Sequence, residues 1–267
     1  MGDTDAVPYD PALYRGSAPH YRNGRPPYSP ELEALLATEA GLDGTGRLLD
    51  VGCGPGILTI RLARLFAEAI GLDPDDGMLA EAHRARPDIR WERGLAEDLP
   101  AAAPGPYRLV TFGLSFQWTD ERRVAETVYD VLEPGGAIAL IAHTVAGRPR
   151  PPDPGVPPIP HEDIEALVRK YLGITRHVGR LRNHRFEDVL VRTRFGVPRT
   201  FFAPGIPDLL RDSESVLSGY LSMSWSAPHL FGDRLDDFTA DVRELLGGRV
   251  FWDWPGDTEV VLARKPA

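Results

Sequence analysis

The residues of this chain whose types and spacing best suit chemistry are three glycines set between two aspartates. In the stretch DVGCGPG, Gly52, Gly54 and Gly56 follow closely after Asp50. Because glycine carries no Cβ, such a turn lets backbone N–H groups approach a ligand closely. Asp73 comes 23 positions after Asp50 (73 − 50 = 23), close to the roughly twenty-residue spacing at which a carboxylate accepts the hydroxyls of a ribose. The pattern predicts a nucleoside site.

The acid beside the glycines also indicates which nucleoside the site takes. A dinucleotide would place its pyrophosphate on the turn, where the carboxylate of Asp50 would repel it. A carboxylate suits instead a ligand that has an ammonium group and no phosphate. S-adenosylmethionine is such a ligand, because its methionine part carries an ammonium group and its sulfur carries a positive charge.

These residues need elements that bring them to one edge, and the sequence predicts an alternation of strands and helices. Short apolar runs that end in turn residues predict strands, and apolar residues at helical spacing predict the helices between them. The predicted strands are 47–51, 68–73, 89–94, 107–113 and 137–143, and the predicted helices are 57–66, 75–85 and 120–136. Such an alternation forms a parallel sheet with right-handed crossovers, whose carboxyl strand ends share one edge.

The segments outside this alternation have a different composition. Residues 1–30, rich in proline, glycine and tyrosine, predict a loop or arm, and a helix follows with Ser29 as its N-cap, Pro30 at its first position and Gly41 at its end. A proline-rich connector occupies 147–160. The remaining predictions are helices at 161–173 and 185–196, a strand at 197–202, mostly helix at 208–247 and a strand at 258–264.

The predicted fold is α/β, a Rossmann-like, doubly wound, mostly parallel seven-stranded sheet with an inserted helical lid. Its predicted parts are the N-terminal arm with the cofactor-binding half at 1–144, a lid insertion at 145–184, a return to the core sheet at 185–203, a second lid insertion at 204–250 and a final core strand at 251–267.

Charge and composition narrow the expected partners. The formal net charge of −9 over 267 residues disfavours a nucleic-acid partner, because an acidic surface repels a phosphate backbone. The single cysteine, Cys53, cannot form an internal disulfide, and no signal peptide or membrane-spanning apolar run is visible. No His, Cys and Asp set has metal-ligand spacing. We therefore expect a cytoplasmic protein without a catalytic metal or a membrane partner; the sequence carries no signal for oligomeric state.

Five segments in chain order resemble the consecutive motifs of class I S-adenosylmethionine-dependent methyltransferases. They read LLDVGCGPGILTIRLA, GLDPDDGMLAEA, GLAEDLP, LVTFGLSFQWTD and VLEPGGAIALI. The arm segment YRNGRPPYSPEL is similar to the opening of a small-molecule subgroup that includes trans-aconitate-type and menaquinone/ubiquinone-type enzymes, and YLSMSWSAPHLFGDRL resembles a segment of bacterial members. The resemblance implies S-adenosyl-L-methionine as cofactor and S-adenosyl-L-homocysteine as product.

The resemblance also implies roles for individual residues. The residues expected to hold the methionine part are Asp50, Gly52, Cys53, Gly54 and Gly56. Asp73 is expected to accept from the ribose hydroxyls. The residues expected to border the adenine are Pro74, Met78, Ala96, Glu97 and Asp98, with Asp98 as the acceptor from its amino group. Phe112, Gly113 and Leu114 are expected near the ammonium and the transferring methyl group. Tyr21 and Arg25 are expected to close over the carboxylate, since arginine pairs well with carboxylates.

Acceptor contacts and catalysis are less specifically marked. Phe116, Gln117 and Trp118 follow the fourth strand and are expected in the acceptor pocket, with core packing as the alternative for Trp118. His143 ends the fifth strand and is the candidate general base, with a structural histidine as the alternative. Two further residues, His20 and His229, lie in segments that could cover the site, with a surface or loop position as the alternative for each. We interpret Cys53 as a loop residue and not a nucleophile, because no base is placed beside it.

The predicted function is methyl transfer from S-adenosylmethionine to O, N or C of a small molecule by in-line displacement, in bacterial specialised metabolism. One alternative is a cyclase or decarboxylase that binds the same cofactor without methylating, since fold and cofactor site do not fix the reaction. The other is a macromolecular methyltransferase, which the acidic charge disfavours.

Overall fold

The computed structural model describes residues 10–145, 155–173 and 185–267, and within them a seven-stranded sheet is the central layer. Its strands are β1 (Arg47–Val51), β2 (Glu68–Asp73), β3 (Arg90–Arg93), β4 (Tyr107–Gly113), β5 (Leu132–Thr144), β6 (Arg199–Ala203) and β9 (Asp257–Arg264). The order is β3-β2-β1-β4-β5-β9-β6, in which β1 to β5 run parallel and β9 is antiparallel to both of its neighbours. The predicted mostly parallel, doubly wound seven-stranded sheet is confirmed.

Helices cover both faces of the sheet, which explains the continuous apolar runs of its central strands. Leu48 belongs to a buried cluster with Leu36 of α2 (Leu32–Ala40) and Leu58 of α3 (Ile57–Leu62), while the next residue, Leu49, packs in the opposite layer with Val128 of α5 (Glu121–Val131). Successive side chains of a strand point to opposite faces, so both layers need apolar residues. The other helix in this half is α4 (Asp76–Ala85).

A second small core lies in the later part of the chain, and we call it the lid. It consists of α6 (His161–Leu172), α8 (Ser213–Leu221), α9 (Pro228–Phe231), α10 (Leu235–Leu246) and a two-stranded sheet of β7 (Leu209–Asp212) with β8 (Val250–Asp253). Its apolar centre is independent of the main sheet and includes Phe231 stacked on Phe238, with ring centroids 4.1 Å apart. Between α6 and the lid strands, α7 (Phe186–Leu190) packs on the main core.

The N-terminal arm, residues 10–31, contains a helix where the sequence predicted only a loop. This helix, α1 (Ala18–Gly24), packs directly against α8 of the lid. A Cβ on Gly24 would lie 2.4 Å from the backbone carbonyl of Ser218, so only glycine permits the approach. The buried guanidinium of Arg211 then donates to the Gly24 carbonyl at 2.7 Å. Helix α1 is therefore stabilised by its tertiary contact with the lid, which no local sequence pattern indicates.

Other boundaries also differ from the predictions. The helix predicted over 120–136 ends at Val131, because Leu132 pairs with Tyr107 and the chain joins β5 across an irregular register. Helix α2 begins at Leu32 and not beside Ser29, whose hydroxyl accepts instead from the N–H of Glu31. The strand β8 was not predicted; it pairs with β7 in the lid.

The predicted connector at 147–160 lies partly outside the described residues. No described helix combines the length and apolarity needed to cross a bilayer.

Candidate active site

A cavity of about 720 Å³ lies at the carboxyl ends of four adjacent strands, β2, β1, β4 and β5. Its wall includes Asp73 from β2, Val51 from β1, Gly113 from β4 and His143 from β5. Because neighbouring strands are about 4.8 Å apart, four strand ends span about 14 Å. The arm and the lid form the remaining wall, to which the lid contributes Met223. The cavity therefore has room for a nucleoside and a second small molecule.

Asp50 is fully buried at the end of β1, where two hydroxyl groups hold its carboxylate. Thr59 of α3 donates to one oxygen at 2.6 Å, and Thr111 of β4 donates to the other at 2.8 Å. Burial raises the pKa of Asp50 to about 6, and the nearby carboxylate of Asp73 acts in the same direction. Each carboxylate oxygen has a further lone pair, so this side chain can still accept from a ligand.

Asp73 ends β2 and is joined to the glycine turn by a hydrogen bond. The N–H of Gly54 donates to one carboxylate oxygen at 2.7 Å, and the N–H of Asp75 donates to the other at 2.9 Å. Burial raises the pKa of Asp73 to about 6, against the effect of these two donors. Neither Asp73 nor Asp50 forms an ion pair with another described residue.

The glycines of the turn serve different purposes. Gly54 has a positive φ of 55°, lines the cavity, and has open space where a Cβ would project. Gly56 is outside the cavity lining, and a Cβ there would meet the ring of Trp91 at 2.4 Å, so it serves the packing behind the turn. Cys53 lines the cavity, but burial raises the pKa of its thiol well above the ordinary value. A thiol kept protonated is a poor nucleophile, which agrees with its interpretation as a loop residue.

The wall beyond β2 and β3 contains most of the residues predicted to border an adenine. Pro74, Met78, Ala96 and Glu97 line the cavity. Asp98, predicted as the acceptor from the adenine amino group, does not. Its carboxylate turns back to the start of its own turn and accepts from the N–H of Leu95 at 3.1 Å, so its contact with the adenine amino group stays a prediction that the cavity lining does not support.

At the end of β4, Leu114 is held in a strained backbone conformation. Its φ is 57°, the only positive φ of a non-glycine residue in the part of the chain that the structure describes. Its N–H donates to Ile141 at 2.9 Å, and its carbonyl accepts from the amide of Gln117 at 2.9 Å. The side chain is 37% exposed and lines the cavity. Such strain in a residue without special φ preference is typical of functional positions.

His143 stands at the end of β5 with its ring stacked on Tyr28 of the arm, at a centroid distance of 5.0 Å and an interplanar angle of 11°. Burial lowers the pKa of His143, and a hydrogen bond with the Pro26 backbone carbonyl raises it by a smaller amount. Its Nδ1 is buried and has no hydrogen-bond partner among the described residues. The imidazole is therefore uncharged near neutral pH and oriented mainly by stacking.

The arm places a cation and further rings on the same wall. The guanidinium of Arg25 lies 4.6 Å from the ring centre of Tyr21 and donates to the Ser222 carbonyl at 2.7 Å. Its Nε is buried and has no partner among the described residues. Tyr14 lies edge-on to Tyr21 and to Trp118, at centroid distances of 6.1 and 6.3 Å. Arg25 is thus positioned to meet an anionic group.

Four more predicted residues lie away from the cavity wall, so the lining gives no support to the acceptor roles predicted for them. Phe116 is fully buried in the main core, and Gln117 turns its amide to the Leu114 carbonyl. His229 is partly buried, and its ring bonds to the Arg15 carbonyl at 3.0 Å. His20 is also absent from the wall, whereas Trp118 belongs to it.

Sequence reasoning missed several wall residues, of which Tyr14, Tyr28, Met223 and Pro255 are the clearest. Tyr28 stands inside the arm motif that carried the resemblance, so that motif could have pointed to it. Met223 likewise stands inside the later segment YLSMSWSAPHLFGDRL that carried the resemblance, whereas Tyr14 and Pro255 lie outside both segments, and the packing of arm and lid brings all three to the cavity. The described residues contain no cluster of three or more His, Cys, Asp or Glu that could hold a metal ion.

Comparisons with known proteins agree with the geometry. A sequence family described as a methyltransferase domain matches residues 48–136, which contain β1 to β4 and the glycine turn. An uncharacterised methyltransferase of Mycobacterium tuberculosis (strain ATCC 25618 / H37Rv) is 34% identical over 137 residues, covering 51% of this chain and 54% of that protein. A trans-aconitate 2-methyltransferase of Variovorax paradoxus (strain S110) is 32% identical, covering 49% of each protein.

The chain thus spans about half the length of the curated relatives it matches. Among solved structures, the YcgJ protein from Bacillus subtilis is 16% identical, covers 88% of this chain and 97% of its own, and has a TM-score of 0.44.

Proposed function

We propose that the protein is a class I S-adenosylmethionine-dependent methyltransferase, whose residues 48–136 match a methyltransferase domain, and that it transfers the methyl group of S-adenosylmethionine to O, N or C of a small-molecule acceptor. The observation that carries the proposal is the pair of buried carboxylates, Asp50 and Asp73, on the wall of one cavity. Buried carboxylates without an ion-pair partner are costly. A ligand with an ammonium group and ribose hydroxyls would compensate both.

The residues present fit S-adenosylmethionine at three separate points. Asp50 and the backbone at Gly54 would hold the methionine part, and Asp73 would accept from the ribose hydroxyls. Arg25, whose buried Nε has no partner among the described residues, would pair with the carboxylate beside Tyr21. The adenine would lie against the wall residues beyond β2 and β3, which are Pro74, Met78, Ala96 and Glu97.

When bound, S-adenosylmethionine supplies an electrophilic methyl group on a positively charged sulfur. The contribution of the chain is then to align the acceptor with that group and to exclude water. The arm and the lid enclose the cavity opposite the strand ends, so they provide the exclusion. His143, which lines the cavity at the end of β5, would take a proton from an acceptor hydroxyl, since burial lowers its pKa and leaves the imidazole uncharged near neutral pH.

Two measurements test the proposed function. Calorimetry with S-adenosylhomocysteine is expected to give one binding site per chain with a Kd in the micromolar range or below. Incubation with methyl-labelled S-adenosylmethionine and candidate acceptors is expected to give labelled product together with S-adenosylhomocysteine. A folded protein that binds neither compound would contradict the proposal, and turnover without S-adenosylhomocysteine would indicate a non-methylating use of the cofactor.

A further inference from the structure

The two ends of the cavity differ in chemistry, and the difference bears on the second reactant. The end at β2 and β1 is acidic, with Asp50, Asp73, Asp75 and Glu97 on its wall. The end at β4 and β5, with the arm and lid residues that face it, has mainly rings and apolar groups. We call this wall the acceptor subsite; its side chains are Tyr14, Tyr28, Leu114, Trp118, His143 and Met223.

The number of cations on the wall limits the charge of the acceptor. Arg25 is the only arginine or lysine among the described residues that line the cavity. In the proposed function its guanidinium meets the carboxylate of the cofactor, so an acceptor carboxylate would have no partner of its own. An unpaired buried charge is strongly unfavourable, and the four acids at the other end add repulsion. An acceptor with several carboxylates, such as a tricarboxylate, therefore fits this wall poorly.

The shape and composition of the acceptor subsite favour a flat ring. Tyr28 and His143 are already stacked nearly parallel, and Tyr14 meets Trp118 edge-on at an interplanar angle of 83°. Aromatic rings pack well on such surfaces in offset or edge-to-face arrangements. Met223 and the strained Leu114 complete the wall with flexible and branched apolar side chains, and thioethers also contact ring edges favourably.

One polar group in this wall is left without a described partner. His143 has a buried Nδ1 with no hydrogen-bond partner among the described residues, and its ring is held by stacking on Tyr28. Burial lowers its pKa, so the imidazole is uncharged near neutral pH and its unprotonated nitrogen can accept a hydrogen bond from an O–H group. A phenolic hydroxyl, whose pKa is about 10, needs such a base before its oxygen becomes a strong nucleophile.

We propose, on the basis of the methyl transfer inferred above, that the acceptor is an uncharged aromatic molecule with a phenolic hydroxyl, bound between Tyr28 and Leu114. In the reaction the O–H proton passes to an imidazole nitrogen of His143. The phenolic oxygen uses an electron pair to form the new O–C bond to the methyl carbon, and the S–C bond breaks with its pair retained by sulfur. The products are a methyl aryl ether, S-adenosylhomocysteine and an imidazolium that then releases its proton to water.

Matched probes test the inference by calorimetry on the full chain loaded with S-adenosylhomocysteine at pH 7. Methyl 4-hydroxybenzoate is an uncharged phenol, 4-hydroxybenzoate has the same ring with a carboxylate, and methyl 4-methoxybenzoate lacks the O–H. The uncharged phenol is expected to bind at least about tenfold more tightly than either of the other two, and trans-aconitate more weakly still, since one unmatched group costs about a factor of ten or more.

Variants test whether the preference for the uncharged phenol depends on the acceptor subsite. Tyr28→Leu is expected to lower the affinity for methyl 4-hydroxybenzoate about tenfold, with little change in the affinity for S-adenosylhomocysteine. Trp118→Leu is the second variant in case the first fails to fold. Tyr171→Leu is the matched control, because it removes a tyrosine ring that packs on Phe238 in the lid, outside the cavity.

The possible outcomes separate the two proposals. Absence of S-adenosylhomocysteine binding by the folded protein would contradict the proposed function itself. Normal S-adenosylhomocysteine binding together with equal or tighter binding of 4-hydroxybenzoate or trans-aconitate would overturn only the acceptor inference. Loss of phenol binding in Tyr171→Leu to the same degree as in Tyr28→Leu would also overturn it, because the effect would then not depend on the subsite.

Discussion

The acidic and the aromatic ends of one cavity are built from the chain in opposite ways. The acidic end comes from consecutive βα units, in which Asp50, Gly54 and Asp73 follow one another along the sequence. The pairing of β1 with β2 and the hydrogen bond from the Gly54 N–H to Asp73 bring them together. The aromatic end is assembled from distant segments, since Tyr14, Tyr28, His143 and Met223 come from the arm, β5 and the lid. The first end can be recognised in a sequence motif, whereas the second exists only after the lid packs on the arm.

The largest expected effect is at the glycine turn of the acidic end. Gly54→Val is expected to lower the affinity for S-adenosylhomocysteine by at least about a thousandfold, because its branched side chain would project into the cavity at a φ of 55°. Gly135→Val is the matched control, since Gly135 has a φ of 78° and open space around it but lies outside the cavity wall. Equal binding losses in two folded variants would mean that strain, and not the cavity, is responsible.

A smaller effect on affinity is expected to distinguish two acids that the sequence analysis both assigned to the cofactor, Asp73 to its ribose and Asp98 to its adenine. Asp73→Asn is expected to weaken S-adenosylhomocysteine binding about 10- to 100-fold, because a hydrogen bond to a charged group contributes about 1.5 to 3 kcal/mol. Asp98→Asn is expected to change the affinity less than about threefold, since its carboxylate bonds to Leu95. Calorimetry of both variants checks this, and a larger loss in the Asp98 variant would reverse our placement of the adenine.

The same acids predict a pH dependence. The pKa values of Asp50 and Asp73 are both raised from 3.8 to about 6 in the unliganded fold, so these groups contribute stability below about pH 4 that is lost as pH rises through about 6. A ligand ammonium and ribose bind the ionised carboxylates best. S-adenosylhomocysteine is therefore expected to bind about tenfold or more tightly at pH 7.5 than at pH 5.

The ligand-induced rise in Tm should change with pH in the same direction. It is expected to be larger at pH 7.5 than at pH 5, as measured by scanning calorimetry at equal ligand concentration. A pH-independent affinity and Tm shift would mean that Asp50 and Asp73 are not the groups that bind the ligand.

The smallest expected effect concerns strain at the aromatic end. Leu114→Gly removes a left-handed leucine, so it is expected to raise the free energy of unfolding by about 1 kcal/mol while weakening phenol binding several-fold. Leu210→Gly, at a half-exposed leucine of β7 outside the cavity, is expected to lower stability by a similar amount. Chemical denaturation measures both, and destabilisation by Leu114→Gly would contradict the backbone strain that we assign to Leu114.

Much of the sheet could be predicted from local pattern. Strands β1, β2 and β4 have the bounds that the sequence predicted, because each is a short buried run that ends in turn residues. Helix α1 could not be predicted, since its stability depends on the contact of Gly24 with α8 and on the buried bond from Arg211. The start of β5 at Leu132 likewise depends on its pairing with Tyr107, which overrides the helical pattern before Pro134.

The positions of the motifs in the sequence predicted which strand ends line the cavity. They did not predict whether an individual side chain points into the cavity or away from it. Asp98 and Gln117 both satisfy local backbone groups in place of a ligand. Conversely, Tyr14 and Met223 line the cavity although no sequence pattern assigned them to it, because their positions are set by tertiary packing.

The most direct test of the account is a crystal structure of the protein with S-adenosylhomocysteine and methyl 4-hydroxybenzoate bound together. The account predicts the ribose hydroxyls on Asp73, the ammonium group beside Asp50, and the phenol ring between Tyr28 and Leu114 with its hydroxyl toward His143. A nucleoside bound away from Asp50 and Asp73 would contradict the account at its centre, and a phenol bound outside the aromatic end would contradict the division of the cavity.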